Sequence, residues 1–517
     1  MRITKLFSTL VVGSIVFLCF TALTTMQSLH AATPIPAVTG PIPVTADSYP
    51  FGSAVRTNLP QDLSKFGYVE EEYFVSGFAN VYDFDTNGSV IIKTANAPYT
   101  TRILVRRPIS AKEFSGAVIM ELLNPTAMYD LDLQWQFSRD YFLAHNDVWV
   151  GITIKPVAAK ALKTFNPQRY APISWANPLP VDQTCSNPIS LLPDTTPATE
   201  NGLAWDITSQ VGTLLKSTLA QNPLNGFPVK RVYLTGYSQT AGYLVTYINF
   251  IRPTATLANG KPIYDGYLIG DGDALPPSLN QCSARIKPGD PCFVIQPRPE
   301  PVISVGSQSL LGISIAARRA DNDSPQDRYR RYEVPGASHI NQRGVSLSPM
   351  PEDAAKAGIS VPPPNCTEIA TYGLTDFPFE YLMNGAFANL DAWVQSGTPP
   401  PKSPRINTKT VPGVPFPVAE LDQYGNVLGG VRTPYVDVPI ATYRASSTPA
   451  DPMFTLFCSL SGYKVPLEKE VLRQLYPTHD SFVEKVNQKV DALERERLLT
   501  RADGQKIKKE AADAAVP

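Results

Sequence analysis

The sequence predicts an α/β protein: a mostly parallel central sheet flanked by helices, with loop or cap insertions and a C-terminal helical extension. Three observations lead there. Apolar runs of strand length alternate with segments of helical periodicity, the order that builds parallel βαβ units. One junction, Val232 to Ile251 (VYLTGYSQTAGYLVTYINFI), compresses a strand, a sharp turn and a helix into a single stretch. The chain is 517 residues long and 43% apolar, enough for one large core with insertions.

Taken in order, the chain opens with Arg2 and Lys5, an uncharged apolar run from Leu10 to Leu23, and then His30-Ala31-Ala32. That is the layout of a secretory signal peptide over residues 1–32, and the run falls short of the ~20 residues a membrane span needs. The expected mature protein is secreted or periplasmic, with no membrane span. A formal net charge of −1 gives no electrostatic footprint for nucleic acid. Export permits disulfides among Cys185, Cys282, Cys292, Cys366 and Cys458. Cys282 and Cys292 bracket a short Pro/Gly loop and are the expected local bridge. None of the spacings resembles a zinc site, and no metal or organic cofactor is implied.

Thr33 to Pro60 is Pro-rich and reads as extended chain. Tyr68–Tyr82, Ile91–Lys93 and Arg102–Val105 read as early strands, with a turn at Asp85–Gly88. Ala117–Leu122 is a buried strand, Leu123–Asp130 a loop, Leu131–Ala144 an amphipathic helix and Asp147–Ile154 the next strand. Residues 155–201 lack periodicity and read as a loop or small cap over an active site. Gly202–Ala220 is a helix. Strands follow at Ile263–Ile269, Pro301–Val305 and Tyr329–Val334, the last running into Pro335-Gly336-Ala337-Ser338-His339. Phe377–Trp393 is a helix stopped by Ser396-Gly397 and prolines. The expected organisation is a core over 33–405 and an extension over 406–517, with a hairpin at Tyr424-Gly425-Asn426 and a charged helical tail.

The chemistry is concentrated at Gly236-Tyr237-Ser238-Gln239-Thr240-Ala241-Gly242. A serine on a tight strand-to-helix turn projects its hydroxyl from the sheet, which is the geometry of a nucleophile elbow. The pattern departs from G-x-S-x-G at Thr240, where the second glycine belongs. A serine nucleophile needs a base, an acid and an oxyanion hole. Of four histidines, His339 alone follows a strand in a Gly/Ser loop beyond the serine, so it is the candidate base. His145 reads as the end of a helix and His479 as the start of one. Asp271 or Asp273 is the favoured acid, with Asp321 and Asp323 as turn-residue alternatives. The backbone N–H of Gln239, together with Asn124 or Thr126 in the loop after Ala117–Leu122, forms the candidate oxyanion hole. Tyr129, Trp135, Trp175 and Tyr237 are candidates to line an apolar acyl site.

The strings GYVEEEYFVSGFANVYDF, APYTTRILVRRP, ELLNP, KPVAAKALKTFNPQRYAPISW, GLAWDITSQVG, LTGYSQTAGYLVTYIN, YEVPGASH, GGVRTPYVDVPIATYR and LYPTHDSFV span nearly the whole mature chain. Together they resemble the α/β-hydrolase domain family of exported bacterial proteins, and the elbow is similar to that of cutinase-like hydrolases. The resemblance implies an α/β-hydrolase fold, Ser238 as nucleophile and His339 as base. Such relatives tend to carry Glu and Asp after the strand that corresponds to Pro301–Val305, where this chain has Gln308 and Leu310. The expected activity is hydrolysis of a small-molecule or lipid-like carboxylic ester through an acyl-enzyme. The competing expectation is a binding protein of the same fold that lacks the acid.

Overall fold

The structure, a computed structural model, describes residues 32–185, 196–360 and 365–516. The leader expected over 1–32 lies outside them except for Ala32. Ten strands form one sheet: β1 (Ala37–Thr39), β2 (Tyr68–Phe84), β3 (Val90–Pro108), β4 (Ala117–Leu122), β5 (Val148–Ile152), β6 (Arg231–Tyr237), β7 (Gly266–Gly270), β8 (Val302–Ser307), β9 (Asn322–Ser324) and β10 (Asp327–Val334). Their order is β1-β2-β3-β5-β4-β6-β7-β8-β10-β9. The six strands from β5 to β10 in that order run parallel, and antiparallel strands close both edges.

Each central strand is buried on both faces, as a helix-covered parallel sheet requires. In β4 the alternation is explicit. Val118, Met120 and Leu122 join one core, while Ala117 and Ile119 join the other. The first core is covered by α2 (Pro156–Phe165), α3 (Ala204–Leu215) and α4 (Gln239–Thr246). The second is covered by α1 (Leu133–His145), the helix Phe379–Ser396 and the C-terminal helices His479–Arg495 and Arg501–Asp513. Residues after 405 therefore complete a face of the main core. The tail helix buries Phe482, Val486, Val490 and Leu493 on one stripe, and its start is capped by Thr478 and Ser481.

Several expectations change. The early strand fragments are one hairpin, with β2 and β3 paired along almost their full length. Its turn is held by the Asp85 carboxylate, which accepts from the Asn87 and Ser89 N–H groups. The segment 155–201 is not a plain loop, because α2 forms at its start and buries Val157, Ala158, Ala161 and Leu162. Cys282 is bonded to Cys185 rather than to Cys292, and Cys366 is bonded to Cys458. The hairpin around Tyr424 shrinks to a turn closed by a single bridge, Leu421 to Val427. Trp135 and Trp175 are core side chains, each 3% exposed. No helix among the described residues is long and apolar enough to cross a membrane.

Candidate active site

Ser238 sits between β6 and α4 with φ 58° and ψ −121°, a conformation that costs ~1–3 kcal/mol unless its surroundings impose it. They do. The Ser238 N–H donates to the Gly270 carbonyl at 2.8 Å. Thr240 fills the place of the missing glycine without opening the turn, since its hydroxyl donates to the Tyr237 carbonyl (3.0 Å) and accepts from the Tyr237 N–H (3.1 Å). From the other side the Asn124 amide donates to the same Tyr237 carbonyl at 2.7 Å. Gly272 has no alternative, because any Cβ there would collide with the Ser238 backbone.

His339 reaches this turn from the loop after β10. The chain reverses at Gly336 with φ 82°, where a Cβ would press on Phe377 and Val436. The imidazole Nε2 lies 2.8 Å from Ser238 Oγ, and Nδ1 lies 2.5 Å from Asp271 Oδ2. The carboxylate can only accept, so Nδ1 carries the proton and Nε2 offers its lone pair to the serine hydroxyl. Tyr237 stacks on the imidazole (4.9 Å between ring centroids) and donates its hydroxyl to the His339 carbonyl at 2.7 Å. Burial raises the Tyr237 pKa well above the ordinary value, which keeps it a neutral donor. Ser238 is half-buried and His339 is 5% exposed.

The two favoured acids separate cleanly. Asp271 stands at the end of β7 with φ 47°; its Oδ1 accepts from the Ser307 N–H at 2.7 Å and its Oδ2 faces His339. Asp273 turns the other way, pairing with the buried Arg331 and accepting from Ser304 Oγ at 2.8 Å. Asp321 and Asp323 are tied to Arg330, Arg405 and Lys402. Gln308 does not orient the imidazole. Its side-chain carbonyl accepts from the Gly336 N–H at 2.8 Å instead. His145 closes α1, and His479 is bound to carbonyls of Ala512 and Val516.

On the loop side of the expected oxyanion hole the backbone donors are taken. The Asn124 side chain is committed to Tyr237 and its N–H to Leu131, while the Thr126 N–H is committed to Asn124 Oδ1. Asn124 thus braces the elbow through one N–H of its amide. Gln239 remains, its N–H in the first turn of α4, where helix N–H groups have no intrahelical acceptor. Its side chain accepts from Thr126 Oγ1 at 3.3 Å, which joins the loop to the elbow. Sequence reasoning missed the roles of Thr240 and Asn124 as staples, and those of Ser307 and Tyr237 around the acid and base. Only Tyr237 carried a signal, as an aromatic beside the serine.

Two surface clefts of about 490 and 390 Å³ lie elsewhere, one beside Tyr424 and Leu475 and one beside α2 and Trp175. Among the described residues no His, Cys, Asp and Glu group could hold a metal ion.

A family model described as alpha/beta hydrolase domain matches residues 38–509. Among solved structures the chain is similar to a dienelactone hydrolase of Anabaena variabilis (11% identity, 50% of this chain and 90% of that one, TM-score 0.27). It is also similar to an alpha-beta serine hydrolase homologue of Coxiella burnetii (10%, 50% and 91%, TM-score 0.24). A third is a glucuronoyl esterase of Solibacter usitatus (9%, 50% and 66%, TM-score 0.24). No curated protein matches the chain.

Proposed function

The chain belongs to the alpha/beta hydrolase domain family, and from that premise we propose that it is an exported serine hydrolase that cleaves carboxylic esters. The observation that carries the reading is the unbroken run from Ser238 Oγ through His339 to Asp271, at 2.8 and 2.5 Å, on a strained strand-to-helix turn. Ser238 Oγ attacks the ester carbonyl as His339 Nε2 takes its proton. Asp271 holds the Nδ1 proton and stabilises the imidazolium. The Gln239 N–H donates to the oxyanion, reinforced by the positive end of α4. Collapse expels the alcohol, which leaves with the proton from Nε2, and the acyl group stays on Ser238. Water, deprotonated by His339, then releases the acid and restores the serine.

The absence of a carboxylate at Gln308 and Leu310 favoured a ligand-binding relative. That argument loses its force because Asp271 reaches Nδ1 from the neighbouring strand. Export is supported by the leader pattern in the sequence and by the Cys185–Cys282 and Cys366–Cys458 disulfides. The test is hydrolysis of a panel of p-nitrophenyl esters of increasing acyl length by wild type and Ser238→Ala. Turnover by the wild type, reduced on the order of 10⁴-fold or more in the variant, is the expected result. A folded wild type inert on the panel and on amide analogues speaks against the reading.

A further inference from the structure

We propose that Ser309 and Gln308, in the loop after β8, are positioning residues that hold the His339 turn in register with Ser238. The proposal rests on the serine-hydrolase reading above. This loop contains no carboxylate. It instead grips the backbone that leads into His339, from Gly336 to the His339 N–H. Gln308 donates its N–H to the Ala337 carbonyl at 3.0 Å and accepts from the Gly336 N–H at 2.8 Å. The Ser309 hydroxyl accepts from the His339 N–H at 2.9 Å and donates to the Ala445 carbonyl at 2.6 Å. One hydroxyl therefore connects the candidate base to the C-terminal extension.

The same extension returns one residue later. The Ile340 N–H donates to the Leu460 carbonyl at 2.8 Å, at the end of the helix Thr455–Leu460, which Cys458 ties to Cys366. The His339 turn is held by β8's loop on one side and by a disulfide-anchored strap on the other. Asp271 and Tyr237 fix the ring and the carbonyl, but the N–H of His339 has Ser309 as its acceptor. A shift of a few tenths of an ångström at Nε2 would weaken proton transfer while leaving substrate contacts alone.

The experiment compares wild type with Ser309→Ala, Ser309→Thr and Gln308→Ala. It measures the second-order rate of labelling by a fluorophosphonate, kcat and KM on the best ester of the panel, and thermal unfolding. Ser309→Ala is expected to lower both the labelling rate and kcat about tenfold at temperatures well below its unfolding range, the effect of one hydrogen bond felt in the transition state, with KM unchanged and a modest fall in the unfolding midpoint from the two bonds lost. Ser309→Thr keeps the hydroxyl and is expected to restore most of the rate. Gln308→Ala is expected to lower kcat in the same way. Wild-type rates in Ser309→Ala overturn the proposal, as does a loss in Ser309→Ala and Ser309→Thr alike that follows the unfolding midpoint. A folded wild type that neither labels nor turns over any ester removes the serine-hydrolase reading, and this proposal with it.

Discussion

At the scale of single residues, two aspartates one glycine apart make opposite predictions. Asp271→Asn keeps the shape but gives His339 Nδ1 an ambiguous partner, so kcat is expected to fall on the order of 10³–10⁴-fold with little change in stability. Asp273→Asn leaves Arg331 buried with Glu333 as its remaining carboxylate partner. That variant is expected to lose about 3 kcal/mol of stability, read by denaturant unfolding, while its folded fraction keeps wild-type kcat. The reverse pattern would reassign the acid. The sequence showed both aspartates in one Gly-rich string and offered no means to choose between them. The choice depends on which way each carboxylate turns beyond β7: Asp271, at φ 47°, faces His339, and Asp273 faces Arg331. Thr240 was legible only as a departure. Its hydroxyl makes two bonds across the turn, so Thr240→Ala is expected to cost about 1–2 kcal/mol and to lower activity.

At the scale of elements, the central strands and the strand-turn-helix junction at Ser238 could be read because burial on both faces leaves apolar runs that punctuate clearly. The long β2–β3 hairpin was broken into fragments because polar residues interrupt it where it leaves the core. The bonding of Cys282 to Cys185 was out of reach, since the partner lies 97 residues away and only the fold brings it to 5.4 Å between Cα atoms. The two disulfides close loops of similar length, with separations of 97 and 92 residues. Removing either pair by double Cys→Ser substitution is expected to cost roughly 2–4 kcal/mol. Their effects on rate should differ. Loss of Cys366–Cys458 frees the strap that holds Ile340 and is expected to lower kcat below the unfolding range, whereas loss of Cys185–Cys282 should leave kcat unchanged. Equal rates in the two variants would show that the strap has no hold on the site.

For the whole molecule, the C-terminal extension is part of the core, and its Asp503 lies near the buried Glu380, which Arg343 faces at 3.7 Å. Burial raises the Glu380 carboxyl to about 7, against the pull of Arg343. Between its unfolded value and about 7 the native state keeps a proton that the unfolded chain has released, so stability falls as pH rises through that window. The drop is on the order of 3 kcal/mol. Glu380→Gln is expected to reduce the slope between about pH 5 and 7, measured by urea unfolding, leaving the part contributed by the buried Glu121 and Asp147, and an unchanged slope would assign it to those groups. Helix propensity and charge made the tail legible as helices, but nothing in its sequence said which face it would cover. That depended on the apolar stripe finding an uncovered half of the sheet. The central claim remains that Ser238, His339 and Asp271 act as one unit. Its most direct test is mass-spectrometric mapping of a fluorophosphonate adduct on the intact protein. The account predicts one phosphonyl group on the peptide containing Ser238, absent in Ser238→Ala and His339→Ala and strongly slowed in Asp271→Asn. Folded wild-type protein with no adduct, or with the adduct on another residue, would contradict it.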